Sequence, residues 1–255
     1  MKEKDNPPGV ALVTGASSGI GQATAIELAR RGYQVAIHYF SNEKGARDTY
    51  EMIRKLDAGH ARVYSCDVSD HSQVGQMSGD VLADFGRIDV LVNNAGSLIE
   101  RRPFLEMDYT LWRRVMALNI DSVFFVTRAI VPQMVRQRSG CIVNVASVAG
   151  RHGGGPGASA YSTAKGALIT LTKSLAKEFI GYGIRVNCVN PGVIATPFHE
   201  RFSSKEMFER FVSAIPAQRA GGSEEVARVI AFLASDDASY LVGECVEVNG
   251  GLIMD

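Results

Sequence analysis

The segment SAYSTAK, residues 159–165, sets Tyr161 four residues ahead of Lys165, directly after the glycine run of RHGGGPGA. Residues four apart lie on one face of a helix, so an ammonium group beside a phenol offers a way to share and move one proton. Spacing alone does not establish this, because Tyr50/Arg54 and Tyr109/Arg113 repeat an aromatic–cation pair at the same interval. A surface or packing pair is the plainer reading of all three. What separates Tyr161/Lys165 from the others must come from its surroundings.

A second group of residues suits phosphate. TGASSGIG, residues 14–21, carries three glycines between the apolar run VALVT and the alanine-rich QATAIELARR. Glycines close a strand-to-helix turn and let a ligand approach the backbone, and the free N–H groups at the helix start favour a pyrophosphate. The spacing is GxxxGxG rather than GxGxxG, and a tight turn without any ligand accounts for the glycines equally well. The same stretch matches the GxSxG elbow of serine hydrolases at Gly15, Ser17 and Gly19, and His152–Gly155 matches their HGGG oxyanion motif. The order is reversed, however: here HGGG follows the serine, whereas in those hydrolases it precedes it.

The elements that must position these groups are legible from hydrophobic patterning. Apolar runs at 10–14, 33–39, 61–65, 89–93, 141–146, 185–190 and 244–248 alternate with amphipathic stretches at 19–31, 42–57, 70–85, 109–137, 160–182 and 223–234. Several runs are nearly continuous in Val, Ile and Leu, as in parallel strands covered on both faces. The alternation predicts an α/β fold: a single doubly wound (Rossmann) parallel sheet of about seven strands, with helices on both faces. With no linker or repeat, the whole of 1–255 reads as one domain, with 1–8 as a flexible tail. Gly32 stands where a helix C′ residue belongs, and Ser223 reads as the cap of the last helix. Pro132 predicts that the 109–137 helix is kinked or shorter than its pattern.

In such a sheet, ligands bind beyond the carboxyl ends of the strands. The residues found there are Thr14-Gly15, Phe40-Ser41, Cys66-Asp67, Asn93-Asn94, Ala146-Ser147 and Asn190-Pro191-Gly192. One edge thus gathers polar, small and turn-forming residues.

Composition excludes several function classes. Lys+Arg and Asp+Glu each count 27, so net charge points to neither nucleic acid nor an anionic membrane. The N-terminus MKEKDNPPG lacks the apolar core of a signal peptide, and no stretch reads as long and apolar enough to span a bilayer. Cys66, Cys141, Cys188 and Cys245 fall in or at the end of strand-like runs, as buried thiols do, and the histidines lack ligand spacing. No metal site is expected. The chain reads as a reduced, cytoplasmic protein.

TGASSGIG (14–21), NNAG (93–96), Asn119, Ser147, YSTAK (161–165) and NPGVIATP (190–197) occur in an order that resembles the short-chain dehydrogenases/reductases, from about Val10 to the C-terminus. The resemblance implies hydride transfer between a nicotinamide and a carbonyl or alcohol, with members of the 3-oxoacyl-carrier-protein reductase and sugar dehydrogenase types the most similar. A non-catalytic nucleotide sensor is the alternative, and the complete set Asn119, Ser147, Tyr161 and Lys165 argues against it. Tyr161 is implied as general acid and base. A tyrosine with an ordinary pKa of about 10 needs a drop of roughly 3 units, about 4 kcal/mol, to work near neutrality. Lys165 beside it and the positive nicotinamide are the groups expected to supply that drop. Ser147 is implied to position the substrate carbonyl, and Asn119 to bind a water linking Lys165 to solvent.

For the cofactor, the resemblance implies Gly15, Ser17, Ser18, Gly19, Ile20 and Gly21 at the pyrophosphate. Tyr39, Ser41, Asp67 and Val68 fall on the adenosine side, Asn94, Ala95 and Gly96 on the inner wall. Tyr161, Lys165, Pro191, Gly192, Ile194 and Thr196 fall at the nicotinamide riboside. No acid stands at 38–42 to take a ribose 2′-hydroxyl, while Ser41, Asn42, Lys44 and Arg47 suit a 2′-phosphate, so NADP(H) is favoured, with NAD(H) second. Residues 196–222 are expected to form a substrate lid, and a homotetramer is implied. One departure is the longer gap between Ser147 and Tyr161, filled by HGGGPG.

Overall fold

The computed structural model describes residues 9–56 and 60–254; the expected tail at 1–8 lies outside them. Seven strands are β1 Val10–Val13, β2 Gln34–Tyr39, β3 Ala61–Ser65, β4 Val90–Asn93, β5 Gly140–Val145, β6 Ile184–Pro191 and β7 Cys245–Val248. They form one sheet in the order β3-β2-β1-β4-β5-β6-β7, every pairing parallel. The chain reverses its direction of growth between β1 and β4, which opens a crevice at their carboxyl ends, where such sheets bind ligands.

Parallel strands need crossovers, and these cover both faces. On one side lie α1 Gly19–Arg30, α2 Glu43–Arg54 and α10 Ser223–Ala234, whose Leu28, Ile53 and Ile230 meet Val13, Ile37 and Val143. On the other lie α3 His71–Phe85, α5 Ser122–Gln137 and α7 Ser159–Phe179, with Val81, Ile130 and Met134 packed on Leu12, Leu91 and Ile142. Burial on both faces explains the continuous apolar runs. Truncating a side chain such as Leu91, fully enclosed between layers, to alanine costs about 2–5 kcal/mol.

Three local expectations change. The cap of α10 is Gly222 rather than Ser223; the Glu225 carboxylate reaches back to accept the Gly222 N–H at 2.8 Å. Pro132 does not end its helix: α4 Tyr109–Met116 passes through a π turn at Ala117–Asp121 into α5, which continues to Gln137. The irregularity sits at Asn119, where the amide side chain enters the hydrogen-bond ladder. Finally, the 29-residue run Tyr109–Gln137 is long and apolar enough to cross a bilayer, contrary to the reading of the sequence. Val126, Ile130 and Met134 bury one side of it against the sheet, so it serves as a core helix.

Candidate active site

The glycine turn follows β1. Gly15 and Gly19 hold left-handed φ values of 66° and 54°. Gly21 faces the Gly15 carbonyl and the Asn94 amide so closely that a Cβ there would collide with both. Ser18 precedes α1 without a capping side-chain bond, and the first turn carries no acid, so the helix start presents unneutralised N–H groups. This cradle fits a pyrophosphate. It is braced from β4: Asn94 Nδ2 donates to the carbonyls of Thr14 (2.9 Å) and Gly15 (3.1 Å), while Thr14 Oγ1 accepts from the backbone N–H of Asn94 and Ala95.

The adenosine side is assembled from three loops. Asn42 caps α2 by accepting the Gly45 N–H at 3.0 Å, and its Nδ2 donates to Ser17 O at 3.3 Å. Tyr39 packs against the core beside it, and Ser41 is exposed. Lys44 and Arg47 sit in exposed pairs with Asp48 (2.9 Å) and Glu43 (2.6 Å); pairs of this kind are weak and exchange readily for another anion. Asp67 does not cap α3, which Asp70 does; its Oδ1 instead accepts from Ser69 N and Oγ. Val68 is buried behind it.

At the chemical end, a four-residue helix, α6 Ala149–His152, follows Ser147 and lies hard against α7. A Cβ on Gly150 would meet the backbone at Lys165 and Gly166 at 2.7 Å, and this close approach brings the serine to the tyrosine despite the longer gap between them. Ser147 Oγ accepts the Ala149 N–H at 3.1 Å and lies near enough to Tyr161 to act on its phenol. Lys165 is 3% exposed; its Nζ donates to Val145 O at 2.7 Å and stands 5.6 Å from the centre of the Tyr161 ring. Gly96 separates Lys165 from Asn119: a Cβ there would lie 2.7 Å from Asn119 Oδ1 and 3.1 Å from Lys165 Nζ. Asn119 Nδ2 donates to Ser97 O and Val115 O, both at 2.8 Å, and Oδ1 accepts the Ser97 N–H. The local bond to Val115 and the tie to the β4 loop therefore coexist.

Burial pushes the Tyr161 phenol up to about 12, an effect that the Ser147 hydroxyl opposes only in part. This runs against the drop expected from Lys165. Burial also lowers Lys165 to about 8, so this ammonium is poised near neutrality. In the protein alone, Tyr161 is thus a protonated donor, the form that a carbonyl reduction requires.

The 196–222 segment forms two short helices, α8 Pro197–Phe202 and α9 Lys205–Ser213. Of its apolar side chains, Phe198 stands 5.8 Å from the Tyr161 ring and 5.1 Å from Phe202, forming a wall at the site, whereas Ile215 is buried in the core. His199 packs against Phe208 and Phe211 and is lowered to about 4 by burial and by the Arg101 charge. Thr196 approaches the glycine turn: a Cβ on Gly19 would lie 3.4 Å from its Cγ2. Ile194 is buried, and Gly192 N–H donates to Val248 O, holding the 190–197 loop on β7.

Arg101 is the residue that pattern reading missed. Its Nε donates to Phe202 O at 2.7 Å and its Nη1 to Pro156 O at 3.0 Å, joining the β4 loop, the 196–222 segment and the glycine run. No motif marks it, since the three segments meet only in the fold. The glycine run is likewise no loose hinge. Gly153, Gly154 and Gly157 adopt left-handed φ of 89°, 72° and 73°, and Arg102 N–H bonds Gly157 O at 3.1 Å. Its glycines serve backbone shape and close contact. Among the described residues no cluster suited to a metal occurs.

A parallel sheet with this strand order, carrying Ser147, Tyr161 and Lys165 beside a glycine turn, defines a nicotinamide-dependent short-chain oxidoreductase, and the chain belongs to the short-chain dehydrogenase/reductase family. A family model described as enoyl-(acyl carrier protein) reductase matches residues 15–253. The chain is 42% identical over 248 residues to the 3-oxoacyl-(acyl-carrier-protein) reductase FabG of Thermotoga maritima, covering 96% of this chain and 98% of that protein. It is 42% identical over 246 residues to the 3-oxoacyl-(acyl-carrier-protein) reductase of Synechocystis sp., covering 96% and 97%. The crystal structure of levodione reductase superposes with a TM-score of 0.91 at 34% identity, over 95% of this chain and 96% of that one.

Proposed function

We propose that this protein reduces the 3-oxo group of acyl thioesters on an acyl carrier protein, with NADPH as the preferred reductant. One observation carries the catalytic part: the buried Lys165 stands 5.6 Å from the centre of the Tyr161 ring, and the Ser147 hydroxyl is near enough to act on the same phenol. The relatives named above support the substrate. Bound NADPH supplies the hydride to the carbonyl carbon. Ser147 donates a hydrogen bond to the carbonyl oxygen, and Tyr161 Oη passes its proton to that oxygen as negative charge develops there, giving the 3-hydroxy product. Lys165 holds the ribose hydroxyls and opposes charge on the phenolate that Tyr161 leaves behind, and Asn119 binds the water through which a proton returns.

The pyrophosphate is held by the turn at Gly15, Ser17, Ser18, Gly19, Ile20 and Gly21. Asp67 and Val68 take the adenine, Tyr39 and Ser41 the adenosine ribose, and Asn94, Ala95 and Gly96 the inner wall. Pro191, Gly192, Ile194 and Thr196 orient the nicotinamide. The 2′-phosphate exchanges into the exposed pairs of Lys44 and Arg47. The protein works in the cytoplasm as a homotetramer.

Loss of NADPH absorbance on adding a 3-oxoacyl thioester, with NADH distinctly poorer, is the expected result. The levodione reductase likeness favours a second reading, reduction of a free carbonyl compound by the same Tyr161. Turnover of cyclic diketones or oxidation of sugars and other secondary alcohols, with thioesters inert, would select that reading. Dinucleotide binding without turnover of any of these would mean a nucleotide sensor.

A further inference from the structure

We propose that His38 is a positioning residue for the cofactor: its neutral imidazole, protonated on Nε2, holds the glycine turn and the adenine-side loop in one frame. The inference rests on the cofactor site proposed above. His38, the last residue but one of β2, is fully enclosed, at 1% exposure. Its Nδ1 accepts the Gly15 N–H at 3.0 Å, and its Nε2 lies 2.9 Å from Cys66 O. A ring nitrogen that accepts an amide proton carries none itself, and a carbonyl oxygen can only accept, so this pair of contacts admits one tautomer. The residue's own carbonyl accepts the Ala16 N–H at 2.8 Å.

The consequence follows from what the two partners precede. Gly15 opens the turn that continues through Ser17 and Gly19 to the start of α1. Cys66 is followed directly by Asp67 and Val68, the residues proposed for the adenine. One buried side chain thus sets the separation of the two walls between which the adenosine half must fit. With the Gly15 amide spent on His38, that N–H is withdrawn from the ligand, and the later N–H groups of the turn and α1 are left to face it. Burial favours the neutral ring. Asp67 is the charged group acting on it, and Tyr64, its register partner on β3, is held protonated by burial and Asp84.

Two substitutions divide the imidazole in half. His38→Asn keeps an acceptor near the Nδ1 position for Gly15 N–H and loses the bond to Cys66. His38→Gln places an amide N–H near the Nε2 position for Cys66 and loses the acceptor. Cofactor affinity is read by NADPH fluorescence, with a thermal melt of each variant alongside. The expected result is a Kd about tenfold weaker for each variant, since each cuts one of the two ties, at similar melting temperatures; a tenfold change corresponds to about 1.4 kcal/mol. Nitrogen-15 correlation spectra of the wild-type imidazole should show the Nε2–H tautomer in the protein without cofactor. Wild-type affinity in either variant, or an Nδ1–H tautomer, overturns the proposal. Wild-type protein that binds no nicotinamide dinucleotide overturns the cofactor site itself, an outcome separate from wild type binding normally while Gln binds equally well.

Discussion

Tyr161/Lys165 on α7 and Tyr50/Arg54 on α2 share spacing, helix and residue class, yet one lies in the site and the other on the surface. Arg54 is exposed and satisfied within its own helix, bonding Glu51 at 2.8 Å and 3.0 Å. Lys165 is buried, has no carboxylate partner among the described residues, and spends one donor on a backbone carbonyl. Tyr109, of the third pair, is 74% exposed. An exposed ion pair is screened and changes neither partner's reactivity much. Removing water from a cation without neutralising it is what leaves it free to act on a proton nearby.

The largest expected effect that sharpens this contrast comes from Tyr161→Phe, which should lower kcat by about 10³-fold while leaving NADPH affinity unchanged. Tyr50→Phe and Tyr109→Phe should stay within about twofold of wild type; a loss in either comparable to Tyr161→Phe would break the comparison.

Lys165→Met should lower kcat/KM by about 10²-fold and shift stability in a pH-dependent way. The folded value of about 8 lies below the ordinary 10.5. Below pH 8 both states are charged and burial destabilises the fold by its full amount. Between pH 8 and 10.5 the folded protein sheds the proton first, so stability rises with pH, and above 10.5 the penalty is gone. Against wild type, the methionine variant therefore gains up to about 3 kcal/mol near pH 7, less what Val145 O loses with its donor. Urea titrations at pH 7 and pH 9.5 test this: the gain must shrink at the higher pH.

Arg101→Ala should raise the KM for substrate about tenfold and leave the dinucleotide Kd alone, since its two bonds hold the lid and the glycine run rather than the turn. Stopped-flow binding separates the two constants. A smaller effect is expected from Arg47→Gln: a loss of NADPH affinity of about threefold, with NADH unaffected, because this cation is exposed and already shared with Glu43. Isothermal titration with both dinucleotides provides the check.

Much of the site was legible because parallel strands end in loops on one edge. Ser147 and the Thr14 turn could be placed there from strand boundaries alone, and Tyr161 and Lys165 from a helix that starts nearby. What stayed hidden depends on contacts between segments distant in the chain. Arg101 reaches 101 residues along the chain to Phe202. His38 joins loops 23 residues before it and 28 after it. Cys188 and Cys245, scattered in sequence, stand side by side in register on β6 and β7 as free thiols. Pro132 does not shorten its helix, because its missing N–H is tolerated within a helix packed on the sheet, while Asn119, with a side chain able to enter the ladder, is where the helix widens.

By itself the sequence determined the layered fold, the edge where loops gather and the candidates for proton transfer, because periodicity and turn chemistry are local properties of a chain. Only the tertiary structure decided the protonation of those residues and the shape of the cavity around them. Dehydration of Tyr161 and Lys165, the bonds of Arg101 to two distant segments and the burial of His38 arise from the sum of neighbours brought from every part of the chain, and charge responds to that sum.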